Sequence, residues 1–580
     1  MAKRNTTARG FAILSATGFV CKLLSLIYVP IQTAVVHDPG NTVINMGFQI
    51  YVFMFSLSNA GLPSSISKMV SEQDALGDYR GSKKIFRIAT AVLLALGVCF
   101  SLILLFSARS LARFVGSPES GLMLLTLSPV FIFTCINCAI RGYFQGKKNM
   151  VPTAVSQLIE QFLNSALTVT FVSIFYFGTQ NKGLKLQNAA AGSALGTFSG
   201  AVGATIFLVY IYYLTKKKWE REERLLPYRG PELSNRYILG QIAKYSIPAI
   251  IGAVASNAAS LIDVALGVNR MKAGGMAASF YNAVYSQYTT IYGRIISLVT
   301  FVASALMVAL IPAISSACAL GDKKSLRHTI TSSYRALFIF VIPCLAGFTV
   351  LAHPIVAFIF FNERKLGFNF LAMWSWSNLL LTVITVQSGI MIGLGRPISV
   401  PVNLIIGMVA KFFLNYILIP IPALNMHGAA IGSATGWFVT MVLDEYIIIK
   451  ASGVRISYVR LLFKPLCVSA VMGVAATLVF KLVNSVFNAL LHVQKAYGLL
   501  ATGSTALWKQ ISSGESHLLI VSNDISLLVA IAAAVPIYFT LLILWGGLGA
   551  EDILRVPGGR KAYAVMIKAP FLKKRLMRKG

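Results

Sequence analysis

Four basic residues fall in or at the ends of long apolar runs: Lys22 in FAILSATGFVCKLLSLIYV, Arg294 in TTIYGRIISLV, Lys411 and Lys481. A charge placed in hydrocarbon costs about 2.5–3.5 kcal/mol on insertion scales, so each is expected to face a cavity or a partner. Lys22 lies too deep to snorkel easily, and Arg294 comes early in its run. Facing one cleft, the two could hold an anion such as pyrophosphate. The structural alternative is that one snorkels to an interface or pairs with a nearby acid. Asn59 and Asn257, polar residues of neighbouring runs, join them as candidates for substrate binding. The acids in or near apolar runs are Glu160, Asp263 and the pair Asp444 and Glu445. Glu160 and Lys411 stand at nearly equivalent points of an internal repeat, so they either pair with each other or each line the cleft. Asp263 follows the polar residues Ser256, Asn257 and Ser260. It suits coupling to a cation or proton, or else lies wet near the outer end of its helix. Asp444 and Glu445 fall near the inner surface and read as solvated.

Other chemistry is thinly represented. The seven cysteines all lie in or beside apolar runs, with none in polar loops, and read as core residues rather than a disulfide framework. Cys135 and Cys138 have redox spacing but no second pair or nearby histidine, so packing is the expected role and no metal site is assigned. No phosphate-cradling G-x-x-x-x-G-K-[ST] segment occurs, so any driving force is expected from a cation gradient, the membrane potential or consumption of product, with no cofactor. A membrane-embedded glycan polymerase or ligase would need a catalytic set in a large outer loop. The longest, about 487–522, offers Glu515, His517, Lys495 and Lys509, which is thin for acid–base work, and no catalytic residue is assigned. Gly61, Pro63, Pro248, Pro312 and Pro401 lie in or at the ends of apolar runs, where they free backbone groups and permit bending, and are hinge candidates.

The elements that must position these residues follow from composition. Of 580 residues 56% are hydrophobic and 12% charged, and the mean hydropathy is +0.72. No soluble core hides that much apolar surface, so lipid is the solvent and the fold class is an all-α polytopic membrane protein. Apolar runs near 10–36, 45–66, 86–107, 121–141, 151–177, 189–214, 241–267, 286–313, 334–358, 369–394, 398–420, 428–449, 461–485 and 524–546 give about fourteen transmembrane helices. The basic start MAKRN resembles a signal peptide, but the run after it is too long and ends in no small-residue cleavage site, so it is expected to stay as helix 1. The formal charge of +32 would suggest nucleic acid in a soluble protein. Here most of the 51 lysines and arginines fall on one side of the predicted topology, which places both termini in the cytoplasm of a multi-pass cell-membrane protein and leaves nucleic acid out.

An internal repeat organises the spans. Ala190–Phe198 (AAGSALGTF) recurs as Ala430–Phe438 (AIGSATGWF), and Gln161–Asn164 (QFLN) as Phe412–Asn415 (FFLN). Gly146 and Pro152 match Gly395 and Pro401, and Pro63 with its following segment matches Pro312. The matches predict two parallel six-helix lobes, 1–215 and 241–450, joined by a basic cytoplasmic linker at 216–240. Helices 13 and 14 follow at 451–547, then a basic tail at 548–580. The stretch from Lys216 to Arg236 and the tail from Arg560 to Lys579 are either interfacial helices drawn to anionic lipid or solvated loops.

Four segments carry a family resemblance: AGLPSSISKMVSE at 60–72, RGYFQGKKNMVPTAVSQLIEQ at 141–161, LIPAIS at 310–315, and GLGRP with LNYILIPIPALNMHGAAIGSA across 393–434. Over roughly residues 8–485 the chain resembles the stage V sporulation protein B group of the multidrug/oligosaccharidyl-lipid/polysaccharide (MOP) exporter superfamily, alongside the MurJ lipid II flippases. The resemblance implies a V-shaped, two-lobed monomer that flips an undecaprenyl-pyrophosphate-linked sugar by alternating access, most directly peptidoglycan lipid II, with cell-wall synthases as partners. It implies a cationic cavity, with Lys22 at the basic position of the helix 1 motif and Arg294 on the helix of lobe two that supplies cavity arginines. Relatives often carry Gly and Arg where this chain has Ser25 and Val29, and SLSNAGLP with Ser58 and Asn59 replaces an arginine-rich helix 2. Fewer cations leave two alternatives open within the superfamily: another lipid-linked polysaccharide unit as cargo, or cation-coupled drug export.

Overall fold

The computed structural model describes residues 2–225, 233–360, 367–490 and 515–548. Every regular element among them is helical, and a helix lies across each of the fourteen predicted segments. Backbone groups in hydrocarbon must be satisfied within the segment, and helices do this. Ten helical stretches among the described residues are long and apolar enough to cross a membrane, or eleven if the pair Pro118–Leu127 and Val130–Gly146, bent by 43°, is one span. The number differs from fourteen partly because 16–75 runs as one stretch through two predicted spans. The outer loop over 491–514, the linker over 226–232 and the tail from 549 lie outside the described residues.

The first predicted pair is helix α1 (Ala2–Asn59), broken at His37, whose φ of 54° and ψ of −171° interrupt the helix between Pro30 and Pro39. The break falls in the polar HDPGN segment where the sequence separates the spans. Then come α2 (Leu62–Ala75), α3 (Tyr79–Phe114), α4 (Gly121–Leu127), α5 (Val130–Gly146), α6 (Val151–Gly178) and α7 (Lys182–Leu225). Helix α7 continues past its predicted end at 214, so Lys216–Leu225 prolong the membrane helix instead of forming an element of their own. The second half contains α8 (Asn235–Ala273), α9 (Ala278–Ser286), a π-helical turn at Gln287–Tyr292, α10 (Gly293–Ala319), α11 (Lys323–Val350), α12 (Ala352–Ile359), α13 (Gly367–Trp374), α14 (Ser377–Gly393), α15 (Ser399–Leu418), α16 (Met426–Ser452), α17 (Tyr458–Leu490) and α18 (Glu515–Leu544).

The chain forms two compact units, one of 1–294 with 397–440 and the other of 295–396 with 441–580, so the first unit draws on both predicted lobes and the second on the rest of lobe two and the segments after it. In the first, Leu62, Ile66, Met69 and Val70 of α2 pack with Ile85, Ala89 and Leu93 of α3, Cys135, Ala139 and Tyr143 of α5, and Ile238 and Ile242 of α8. The repeat motifs are packing devices. A Cβ on Gly196 would press on Thr168 of α6, and one on Gly436 would lie 2.6 Å from the Gly407 carbonyl of α15 and 3.2 Å from the Lys411 Cβ. The small residues let each helix pair approach closely. Large apolar side chains such as Phe106 (82% exposed) and Ile206 point outward, as a lipid solvent requires.

The cysteines need a correction. All seven are free, but only Cys135 and Cys138 are buried; Cys99, Cys318 and Cys344 are exposed on membrane helices. A thiol is apolar enough to face lipid, so an apolar run does not by itself imply a core position.

The hinge candidates occupy different settings. Pro248 and Pro312 lie inside α8 and α10, Pro401 in the first turn of α15, and Pro63 in the first turn of α2. Gly61 joins α1 to α2 with φ of 73°, and a Cβ there would collide with that of Ala249. Gly61→Ala is therefore expected to destabilise the protein by at least about 1–2 kcal/mol from the left-handed backbone alone. Thermal unfolding in detergent tests this, and an unchanged midpoint would contradict it.

Candidate functional site

Within the first unit, both halves of α1 line a polar pocket with α6, α7 and the π turn. Tyr28, Gln32, Asn41, Asn45 and Phe48 come from α1, Asn164 and Thr168 from α6, and Ser193 and Thr197 from α7. Thr290 and Arg294 close it, and the whole spans about 400 Å³ including its open mouth. The break at His37 allows residues on either side of it to face one pocket. The π turn, wider than an α turn, ends just before Gly293 and Arg294, and such insertions are frequent at functional sites.

The lining is rich in amides and hydroxyls, has one cation and contains no carboxylate. Asn45 Nδ2 donates to Thr290 Oγ1 and to the Asn41 carbonyl, tying α1 to the π turn. Asn164 Oδ1 accepts from Thr168 Oγ1 at 3.0 Å and Thr197 Oγ1 at 3.3 Å. Asn41 is buried, and its Nδ2 has no hydrogen-bond partner among the described residues, so the lining holds an unspent amide donor. Such a pocket can bind sugar hydroxyls and amides through its neutral groups and an anion through the guanidinium.

Of the predicted site residues, Arg294 lines this pocket and is half-buried, with interactions of its own. Lys22 is exposed on α1, six residues before Tyr28, and is close enough to Arg294 for their charges to interact. Asn59 and Asn257 do not join the pocket. Asn59 is buried with its Nδ2 donating to Ser58 Oγ at 2.7 Å, and Asn257 Nδ2 donates to the Ala253 carbonyl of its own helix.

The charge pairs form with partners that the repeat did not indicate. Glu160 and Lys411 are not paired with each other. Arg141 donates from Nη2 to Glu160 Oε2 at 2.6 Å and from Nε to Ser156 Oγ at 2.9 Å. Lys411 is buried, with Nζ 2.8 Å from both Asp263 Oδ2 and the Ala259 carbonyl, and Asn415 Nδ2 donates to Asp263 Oδ1 at 2.8 Å. Asp263 is thus inside the helix packing and not wet at a helix end. Asp444 and Glu445 also differ from the solvated reading. Asp444 is fully buried, and Glu445 Oε2 accepts from Tyr334 Oη, Gln387 Nε2 and Tyr458 Oη. Position near a span end says nothing about which helix face meets a neighbour.

Most of the pocket was absent from the sequence candidates. Gln32, Asn41, Asn45, Thr168 and Thr290 are neutral and cost little in a membrane helix, so they do not stand out as a charge does. Asn164, Ser193 and Thr197 had a signal, since all three lie in the repeated motifs.

Residues 7–318 match the family model described as polysaccharide biosynthesis protein. Among curated proteins of Bacillus subtilis (strain 168), the lipid II flippase MurJ is 27% identical over 489 residues, covering 81% of this chain and 88% of that protein. Stage V sporulation protein B is 24% identical over 475 residues, covering 79% and 86%. Among solved structures, an inward-facing multidrug resistance MATE family transporter of the MOP superfamily shares the fold at a TM-score of 0.60 and 16% identity, covering 74% of this chain and 94% of that one. A MOP superfamily transporter from Pyrococcus furiosus does so at 0.55 and 16%, covering 77% and 96%. The chain belongs to the polysaccharide biosynthesis protein family, is similar in sequence to the lipid II flippase MurJ and stage V sporulation protein B of Bacillus subtilis, and shares its fold with transporters of the MOP superfamily.

Proposed function

We propose that this transporter flips an undecaprenyl-pyrophosphate-linked sugar precursor, peptidoglycan lipid II in particular, from the inner to the outer leaflet of the cell membrane by alternating access. The observation that carries the reading is the pocket itself: Arg294 set among amide and hydroxyl groups, with an unspent donor on Asn41 and no acid in the lining. A pyrophosphate needs charge-assisted donors and a sugar needs neutral ones. A cationic drug would meet the wrong charge here. Lys22, within electrostatic reach of Arg294, adds a second cation for the entering pyrophosphate. The similarity to lipid II flippase MurJ supports the same substrate class.

The driving force belongs to the proposal too: a cation gradient or the membrane potential, with Glu160 and Asp263, each ion-paired in this conformation, as the carboxylates that coupling would use. In cells depleted of their own lipid II flippase, expression of this chain is expected to restore lipid II at the outer leaflet, read by a membrane-impermeant label. A folded, membrane-inserted protein that restores none would exclude lipid II as cargo.

A further inference from the structure

On the side that the predicted topology makes the outer one, the last turn of α8 meets the end of α3, both within the first unit. Asn269 and Lys272 stand three residues apart in the sequence, hence on one face of α8. Helix α3 ends at Phe114, and Gly116 turns the chain with φ of 83°. Carbonyls at such an end have no following N–H to pair with, and they carry the partial negative charge of the helix terminus. Asn269 Nδ2 donates to the Phe114 carbonyl at 2.8 Å, and Lys272 Nζ donates to the Gly116 carbonyl at 2.7 Å. The approach requires glycine, because a Cβ on Gly116 would collide with Asn269 Oδ1.

These two bonds join segments of different predicted lobes. Phe114 and Gly116 belong to lobe one, Asn269 and Lys272 to lobe two. Arg270, between them in the sequence, serves its own lobe: its Nε donates to the Tyr416 carbonyl of α15 at 3.1 Å, and its guanidinium lies 3.8 Å from the centre of the Tyr416 ring. One helix end therefore caps two others, and only one of the caps crosses the lobes. Two further bonds cross on the same side, Thr42 Oγ1 to the Asn282 carbonyl at 3.0 Å and Asn45 Nδ2 to Thr290 Oγ1 at the wall of the polar pocket. Those bonds involve residues buried among the helices, whereas Asn269 is half-buried and Lys272 is exposed. Their other interactions are slight: Asn269 Nδ2 also donates to the Ala265 carbonyl of its own helix, and Lys272 Nζ lies 5.4 Å from the centre of the Tyr281 ring.

We propose that Asn269 and Lys272 form an outer clasp for the polar pocket, a pair of hydrogen bonds that must break for the pocket to open outward and that sets how often it does. A hydrogen bond within reach of water can be exchanged for one to water at little net cost, so the pair is strong enough to bias a two-state equilibrium and weak enough to release. The inference rests on the alternating access proposed above and not on the identity of the cargo.

The test places a cysteine at Thr197, a half-buried position in the pocket lining, in the full-length protein in cells. A membrane-impermeant thiol reagent applied outside reports outward opening by its rate of reaction, with the signal of the native cysteines in the unsubstituted protein subtracted. Lys272→Gln with Asn269→Ala is expected to speed labelling of Thr197→Cys about tenfold. Lys272→Arg, which keeps a charged donor, should leave the rate close to that of the reporter alone. Arg270→Gln, which removes the cap inside lobe two, should do the same. If unfolding midpoints show that the double variant has lost its fold, Lys272→Gln alone decides, since that side chain is exposed, with an expected gain of about threefold. An unchanged rate, or equal acceleration by Arg270→Gln, would overturn the clasp. The same reporter is labelled from the cytoplasmic face in inverted vesicles. Labelling from both faces with no effect of the clasp variants would remove the clasp and leave alternating access standing, whereas labelling from one face alone in every variant would overturn both.

Discussion

Lys411→Met is expected to lower stability by about 3–5 kcal/mol, because it leaves the Asp263 carboxylate buried without its counter-charge. Lys411 Nζ is 1% exposed in its side chain and lies 2.8 Å from Asp263 Oδ2, and Asp263 is only 12% exposed. Among the described residues, Asn415 alone would remain to satisfy the carboxylate. Adding Asp263→Asn should recover most of the loss, since a neutral amide beside an apolar side chain carries no uncompensated charge. The pair joins α8 to α15, so its rupture should also loosen helix packing within the first unit. Unfolding of detergent-solubilised protein measures both variants. A single variant that unfolds like the parent would show that the pair does not hold these helices together.

Arg294→Ala should reduce transport about tenfold to a hundredfold, the worth of about 1.5–3 kcal/mol for hydrogen bonds to a charged group. The guanidinium is the one cation lining the polar pocket, and it can engage pyrophosphate oxygens through paired donors. Arg294→Lys should fall between parent and alanine, since an ammonium keeps the charge but not the planar fork. If Arg294→Lys and Arg294→Ala lose equally, geometry outweighs charge. Two parental rates would remove Arg294 from the account. Unfolding midpoints separate lost transport from lost fold.

Both predictions rest on residues whose types stood out in the sequence, but their settings were not equally readable. The expense of charge in hydrocarbon marks Arg294, Lys411 and Asp263 from composition alone. The choice of partner does not follow from that expense, because Asp263 and Lys411 are 148 residues apart and no local pattern links them. The repeat placed Glu160 and Lys411 at equivalent points, yet equivalent positions in two repeats have no need to touch. Glu160 took Arg141 on the neighbouring α5, a residue inside a quoted motif that had no role assigned to it.

Helix content was readable because apolar runs of span length have few other forms in lipid. The π turn before Arg294 was not, since one extra residue per turn changes no composition. Asn41 and Asn45 were hidden for the opposite reason to the charges: neutral amides are ordinary in membrane helices, and only the break at His37 brings them beside Gln32 and Tyr28.

The most direct test of the central claim is lipid II translocation by the purified chain in liposomes, read as loss of inner-leaflet substrate to an impermeant reagent, with Arg294→Ala beside it. The account predicts fast exchange by the parent under an imposed cation gradient or potential, and a rate for the variant reduced towards that of empty liposomes. Exchange no faster than empty liposomes under either gradient, from a folded parent, would contradict it.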